Sequence, residues 1–206
     1  MSMARDDLLA DLKTAVAGES ARAIETEDNK HWLMALDVAR QAMRDKRPLM
    51  HESTLDLQLN QSTYSGVPAD LVRVINVRWD SPAASAQPWD VRPQPAPRLH
   101  VTGHGASRQF VVSPMPREAV LHVYGSRIAY RYSADHVLGE TTAATTIAPA
   151  DRSLFLLRAQ AEIMRQVATR NAGRPQRMQD GVTSSAANST PAALYERLLR
   201  EFAEAA

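Results

Sequence analysis

Two histidines four positions apart have the residue types and spacing that most nearly suggest a catalytic metal site. They lie in the run His100-Val101-Thr102-Gly103-His104-Gly105. Histidines at that spacing can hold a metal ion when both lie on one face of a helix. Glycine weakens a helix, and this run contains Gly103 and Gly105 but neither a carboxylate nor a third histidine. We therefore predict a hairpin turn with exposed histidines and no catalytic metal.

The sequence contains no motif typical of other kinds of catalytic site. The chain has no cysteine, which excludes disulfides, thiolate metal ligands and thiol nucleophiles. It has no glycine-rich phosphate loop, nucleophile elbow, zinc-protease helix or paired-carboxylate motif. His122, expected in a strand, and His136, expected in a loop, can approach in space, but the sequence does not show whether they do. We predict that the protein is not an enzyme and needs no cofactor.

Arginines in the predicted strands are a candidate for binding single-stranded nucleic acid. Arg108, Arg127 and Arg131 can form a basic face, with Tyr130 and Tyr132 interleaved as in platforms that bind single-stranded nucleic acid. Successive side chains of a strand point to opposite faces, so these tyrosines lie on the side away from the neighbouring arginines. The alternation favours one core face and one solvent face over a stacking platform.

Two amphipathic helices come first among the elements that must position these residues. Helix one begins at Asp6 and Asp7, whose carboxylates suit the positive end of the helix dipole, and it breaks near Gly18. Helix two follows Thr26, Glu27, Asp28 and Asn29, which are typical of a helix N-terminus, and it ends before Pro48. The apolar stripe of helix two consists of Trp32, Leu33, Leu36, Ala39 and Met43.

A change of hydrophobic period from about 3.6 to about 2 residues marks the start of a β-region. Leucines alternate with polar residues over 54–60, which predicts a strand with one buried face. A turn over 67–70 leads into a second strand over 71–79, and we expect the two strands to pair. In this structural turn, Pro68 fixes the backbone and Asp70 can bond its own turn.

Proline punctuates the region that follows. Residues 81–97 contain five prolines, which cannot donate to a ladder, so we predict an extended loop that interrupts the sheet. Gly125-Ser126 is expected to join the last of three further strands to a strand over 127–132 as a hairpin. The three predicted strands span 99–101, 109–112 and 119–124.

The C-terminal part is expected to hold a long helix over 150–170, a polar linker over 171–190 and a short helix over 191–206. Thr190 and Pro191 supply the N-cap and first turn of the short helix, which is marginal alone in water. Its broad apolar face consists of Leu194, Tyr195, Leu198, Leu199 and Phe202. We predict that this segment is a docking arm, mobile in a lone subunit and not packed as a fourth helix of its own bundle.

Together these elements predict an α+β protein: a helical bundle with an inserted antiparallel β-domain and a C-terminal arm ending in a short helix. The predicted core spans 1–170, with helices over 5–46 and 150–170 and the β-insertion over 53–133. The N-terminus lacks a signal-peptide core and no apolar run reaches membrane length, so we expect no membrane association.

Charge is balanced overall but uneven locally. The formal net charge is +1, which by itself points to no nucleic-acid, membrane or acidic partner. Residues 92–131 carry 6 basic and 1 acidic side chains, and residues 151–177 carry 6 and 2. Whether these basic segments face DNA or protein is left open by the sequence.

The run TLDLQLNQSTYSGVPADLVRVINVRW, from Thr54 to Trp79, resembles head-to-tail adaptor or tail-tube gatekeeper proteins of tailed bacteriophages. In that family a strand ending in tyrosine and a Leu-Pro-Ala-Asp-like turn lead into a further strand, and Val67-Pro68-Ala69-Asp70 stands at that turn here. The segment VYGSRIAYRY, from Val123, is similar to the family's late hairpin, and the helix from Asp151 is similar to its alanine-rich closing helix. The resemblance covers about residues 30 to 170; the long proline-rich loop and the final helix depart from it.

The resemblance implies a structural role in a virion that is assembled in the host cytoplasm. Such proteins form a ring, a dodecamer, that docks on the portal protein and connects it to the tail or the next connector protein. The implied partners are the portal, neighbouring adaptor subunits and the tail, while DNA passes through the channel without sequence-specific binding. The face of the terminal helix is the expected contact with the portal or a neighbour.

Two other functions stay open. A ligand- or carbohydrate-binding β-module flanked by helices needs an aromatic-lined cleft, for which Trp32, Trp79 and Trp89 are the tryptophans available. An enzyme with unrecognised chemistry needs a pocket in which titratable groups converge.

Overall fold

The protein is described here by a computed structural model that covers residues 2–16, 22, 24, 28–79, 96–172 and 190–205. Within these ranges the helices are α1 (Arg5–Ala15), α2 (Lys30–Lys46), α3 (Glu118–Tyr124), α4 (Arg152–Asn171) and α5 (Pro191–Glu204). The strands are β1 (Leu49–Asp56), β2 (Thr63–Tyr64), β3 (Leu71–Trp79), β4 (Arg98–Thr102), β5 (Gln109–Ser113) and β6 (Arg127–Ala134). The predicted α+β class is confirmed.

The chain forms two compact units, a helical unit of Met1–Arg47 with His136–Ala206 and a β-unit of Pro48–Asp135. The chain therefore leaves the helical unit once and returns once. Within the helical unit, His136 Nε2 lies 2.7 Å from the carbonyl oxygen of Arg47, and Arg40 Nη1 donates to the His136 carbonyl at 2.9 Å. These bonds hold the two ends of the helical unit side by side at the insertion point.

The helical unit buries one apolar core between α1, α2, α4 and α5. Helix α2 supplies the expected stripe, with Trp32 only 2% exposed, and it ends before Pro48, since the residue before a proline avoids helical geometry. In α5, the Thr190 side chain accepts from the Ala193 amide and Pro191 occupies the first turn, as predicted. Completely buried residues of the core include Leu8, Leu12, Ala35, Ala39, Met43, Phe155 and Ile163.

The β-unit contains two three-stranded sheets, which we call sheet one (order β1-β6-β3) and sheet two (order β2-β5-β4). All pairings are antiparallel. Central strand β6 buries Ile128, Tyr130 and Tyr132 on one face and exposes Arg127 and Arg131 on the other, so the predicted separation into a core face and a solvent face is confirmed.

The turn at 67–70 is present, because the Leu71 amide donates to the Pro68 carbonyl at 3.1 Å. The strands that flank it do not pair with each other, however, so that expectation is wrong. Strand β2 pairs with β5 in sheet two, while β3 pairs with β6 in sheet one. The turn moves the chain from one sheet to the other, and Asp70 directs its carboxylate to Tyr132 and His51 in place of its own turn.

Two further predictions about β-structure need correction. The strand expected over 54–60 is β1, which begins at Leu49 and ends at Asp56, leaving Leu59 54% exposed in a turn. The segment 119–124 is helix α3, so the hairpin through Gly125 does not form. Val120, buried, and the half-buried Tyr124 fall on one helical face, and Gly125 at φ 86° ends the helix.

Three sequence predictions fall wholly or mostly outside the described residues. They are the proline-rich loop over 81–97, the polar linker over 171–190 and the start of helix two at Thr26.

Candidate functional site

The two histidines that were considered as metal ligands, His100 and His104, lie in the hairpin of sheet two. Strand β4 contains His100, and His104 stands at the turn between β4 and β5; both are exposed. The predicted hairpin with exposed histidines is confirmed. Within the described ranges no three His, Cys, Asp or Glu side chains approach as metal ligands would.

Helix α5, the predicted docking arm, packs on α4 of its own chain. Leu198 and Phe202 are each 8% exposed and belong to the core of the helical unit, and Leu194 and Tyr195 pack against that core partly buried. The expectation that this helix stays mobile and apart from its own bundle is therefore wrong. Helix α5 packs on α4 because α4 presents apolar side chains around more than half of its circumference. A contact between this face and a portal or neighbouring subunit stays a prediction.

A buried carboxylate lies on α4 close to α5. Glu162 is 2% exposed, and both of its oxygens accept from Arg165 Nε at 3.0 Å. Arg158 Nη1 lies 3.8 Å from the Glu162 carboxylate and, among the described residues, has no hydrogen-bond partner. The hydrogen bond that Arg165 donates to Glu162 raises the pKa of Arg165, and the charge of Glu162 and then the nearby Tyr195 add to the effect. We did not predict this group, although the spacing of i, i+4 and i+7 marks one face of a helix.

A second polar group joins α2 to α4 within the helical unit. His31 Nδ1 lies 3.0 Å from Gln166 Oε1, and Arg170 Nη2 lies 2.5 Å from the other ring nitrogen. Near the other end of α4, buried Arg152 bonds the Ser2 carbonyl and the Asp11 carboxylate, which ties the N-terminus and α1 to α4. Gln166 and Arg152 are thus structural links from α4 to other helices, whereas Glu162 bonds within α4 itself.

A cleft of about 390 Å³ lies in the helical unit, between α2 and residues 136–138. Three of its polar side chains are already engaged: Arg40 Nε donates to Asp37 at 2.9 Å, and the two ring nitrogens of His136 contact Thr146 and Arg47. Val137 at the rim is 51% exposed. Apart from Arg5, the rest of the lining is apolar, so the cleft resembles a contact surface more than a catalytic pocket.

A larger cleft, about 700 Å³, lies in the β-unit between the 65–69 segment and the tip of the β4–β5 hairpin. Its lining contains no aromatic side chain, and the predicted tryptophans are elsewhere. Trp32 is in the helical core, Trp79 contacts Tyr124 at a ring separation of 5.5 Å, and Trp89 lies outside the described residues. The aromatic platform that a carbohydrate site needs is therefore missing from this cleft.

The predicted basic face is brought together in part. Arg127 and Arg131 lie on the outer face of sheet one, the face away from the buried tyrosines. Arg108 is not with them, since its guanidinium donates to the Leu71 carbonyl at 2.6 Å. Arg127 donates to Asp56 at 2.8 Å, and this hydrogen bond together with the charge of Arg127 lowers the pKa of the Asp56 carboxyl.

Tyr132, on the inner face of sheet one, gives a prediction about alkaline pH. Burial raises the pKa of its phenol above 10.0, and the charge of Asp70 raises it further. Because the folded pKa lies above the unfolded one, the contribution to stability is complete below pH 10 and is lost as the pH rises through the folded pKa. We expect ultraviolet difference titration against Tyr132→Phe to show one late-ionising phenol. Asp70→Asn should move that transition to lower pH, whereas an unchanged transition would contradict the role of Asp70.

Comparison with known proteins gives remote likenesses. No protein-family model and no curated protein matches the chain. Among solved structures, a chain in the neck of a native gene transfer agent particle computed with C12 symmetry is 17% identical over 92% of this chain and 86% of that chain, with a TM-score of 0.28. A chain in the neck of the empty particle computed with C6 symmetry is 18% identical over 92% and 87%, with a TM-score of 0.28. A chain in the virion of the native particle is 19% identical over 92% and 87%, with a TM-score of 0.27.

The hydropathy of the helices gives one more finding. Within the described ranges, no helix combines the length and apolar character that are needed to cross a bilayer.

Proposed function

We propose that this protein is a structural head-to-tail adaptor of a tailed bacteriophage. It forms a ring, in the proposed assembly a dodecamer, that docks on the portal and connects it to the tail, leaving a channel for DNA. The observation that carries the proposal is the architecture: a helical unit that is interrupted between α2 and α4 by a β-unit of antiparallel sheets. This is the arrangement that the family resemblance implies.

The buried polar groups support a structural role over a catalytic one. In the described part of the chain, Gln166 and Arg152 of α4 bond to α2, α1 and the N-terminus, and buried Glu162 bonds to Arg165 of α4 itself, so these groups do not converge on a cleft. Positioned acid, base and nucleophile groups facing a pocket are what an enzyme requires. The geometry thus favours a structural protein that acts by binding other subunits through its surfaces.

We also propose that the exposed rim of α5 contributes to portal docking. Leu198 and Phe202 hold the helix on α4, whereas Leu194, Tyr195 and Leu199 are only half-buried. Docking through this rim leaves the core of the helical unit intact. Partial exposure of three neighbouring apolar residues suits a contact that forms on assembly.

The test uses the full chain and the portal protein encoded in the same genome. The mass of purified portal rings, measured by native mass spectrometry, should increase on mixing by up to one chain for each portal subunit. Leu199→Ser should weaken attachment about tenfold or more while leaving the circular dichroism unchanged, because a contact residue at the rim is removed.

Glu196→Gln, at an exposed position on the same helix, is the matched control and should attach normally. Portal rings that gain no mass from the wild-type chain would contradict the adaptor function. Normal attachment of the Leu199→Ser variant would contradict only the role of the rim.

A further inference from the structure

The outer face of sheet one carries a regular set of arginines. The strand register divides this face into four rows, each of which contains one arginine. The rows are Met50, Ser133 and Arg73; Glu52, Arg131 and Asn76; Thr54, Ala129 and Arg78; and Asp56 with Arg127. Rows two residues apart along a strand are separated by roughly 7 Å, so the guanidinium groups form a ladder across two adjacent strands.

The charges on this face do not cancel. The four rows contain four arginines and two carboxylates, Glu52 and Asp56. Asp56 is engaged by Arg127 at 2.8 Å, and Arg78 lies 3.8 Å from Glu52. The Arg73 carbonyl accepts from Ser133 Oγ, but neither the Arg73 nor the Arg131 guanidinium has an ion pair or hydrogen bond to a described residue. A shallow trough of about 230 Å³ on the same face is lined by Glu52, Asn76, Arg78, Ala129 and Arg131.

We propose that the outer face of sheet one binds the phosphate backbone of duplex DNA, independent of base sequence. Duplex DNA carries one charge for about every 1.7 Å of its axis, so a row of guanidinium groups can meet several phosphates at once. Arginine forms bidentate bonds with phosphate oxygens, and two of these arginines have no carboxylate to displace. Asn76 and Thr54 add neutral donors to the same surface.

The sheet also explains why the contact is to the backbone and not to base edges. The rows lie on the face of a sheet and not on a helix or a projecting two-stranded ribbon, which are the elements that enter the major groove. Two exposed apolar residues, Val72 and Ile75, stand at the bulges of β3 and outside the paired rows. The biological setting of this inference rests on the proposed adaptor function, in which DNA passes the protein.

The experiment compares two variants with the same change in charge. Arg73→Gln with Arg131→Gln removes the two unpaired arginines, whereas Arg98→Gln with Arg117→Gln removes two exposed arginines elsewhere in the β-unit. Binding to a fluorescent duplex of arbitrary sequence is measured by anisotropy over a range of salt concentrations. The face variant should bind about tenfold or more weakly, and the slope of log K against log salt should fall by about 1.8, or 0.9 for each lost phosphate contact.

Three outcomes would overturn the inference: no DNA binding by the wild-type chain at low salt, an equal loss in both variants, or normal DNA binding by the face variant together with lost portal attachment. The last outcome would make the face a contact for an acidic protein surface. Thermal melting of both variants checks that each is folded. DNA binding by a chain that does not attach to the portal would keep this inference and reject the adaptor function.

Discussion

Phe202→Ala should lower the free energy of unfolding by about 3 to 5 kcal/mol, and Leu198→Ala by about 2 to 5 kcal/mol, because each leaves a cavity in a packed core. Both side chains are 8% exposed and pack in the same core as α4. The effect is large against a typical total stability of about 5 to 15 kcal/mol. Urea unfolding followed by circular dichroism measures it.

Leu199→Ala is the matched control, since Leu199 is half-buried on the same helix and lies outside the buried core. Leu199→Ala should lower the free energy of unfolding by less than half as much as Leu198→Ala does. If Phe202→Ala unfolded at the same urea concentration as the wild-type chain, α5 would not be held by its own bundle. The mobile docking arm that the sequence suggests would then be the better description.

Glu162→Ala is the second substitution with a large expected effect. Removing one partner of a buried ion pair costs about 3 to 5 kcal/mol, because the remaining charge stays buried without compensation. Arg158 is that charge, with its side chain 14% exposed. Arg165 is about half exposed and can turn to solvent, so Arg158 should account for most of the loss. Chemical unfolding at neutral pH measures the change.

Glu201→Ala is the control for charge and helix propensity, because Glu201 pairs with Arg197 at 3.7 Å on an exposed surface. Its expected effect is below about 1 kcal/mol. Replacing Arg158 and Glu162 together by leucine should recover most of the stability, since apolar residues of similar size often substitute well for a buried ion pair. Equal effects of Glu162→Ala and Glu201→Ala would show that the buried pair has no special role.

Local signals in the sequence predicted the elements that local chemistry determines. The Thr190-Pro191 start of α5, the end of α2 before Pro48 and the alternation along β6 follow from capping, proline geometry and the two-residue strand period. Each of these depends on neighbours within a few residues. They are therefore visible without knowledge of the tertiary structure.

Long-range packing explains the errors. Segment 119–124 contains β-branched residues that suit a strand, but Val120 gains burial as part of a short helix that Gly125 ends. The turn at Pro68 was predicted correctly, yet no local signal shows that β3 pairs with β6 and not with the preceding strand. Helix α5 was expected to stand apart because its own sequence cannot reveal the apolar surface of α4.

The candidate site shows the same division. Arg127 and Arg131 share a face because they are four residues apart on one strand, which the sequence shows. Arg73 and Arg78 join them only through the pairing of β3 with β6. Glu162 was missed because a carboxylate in a helix is usually solvated, and only the packing of α4 shows that this one is buried.

The chain leaves the helical unit after Arg47 and returns to it at His136, and this order affects folding during synthesis on the ribosome. The β-unit is continuous from Pro48 to Asp135 and has all of its strands before any of α4 is made. The first two helices must wait for α4 while roughly 100 residues are added, about 5 to 20 s at common elongation rates. Until then, Trp32 and the rest of the α2 stripe lack the α4 side chains with which they share a core in the finished unit. The insertion thus makes the first-made part of the chain the last to be completed.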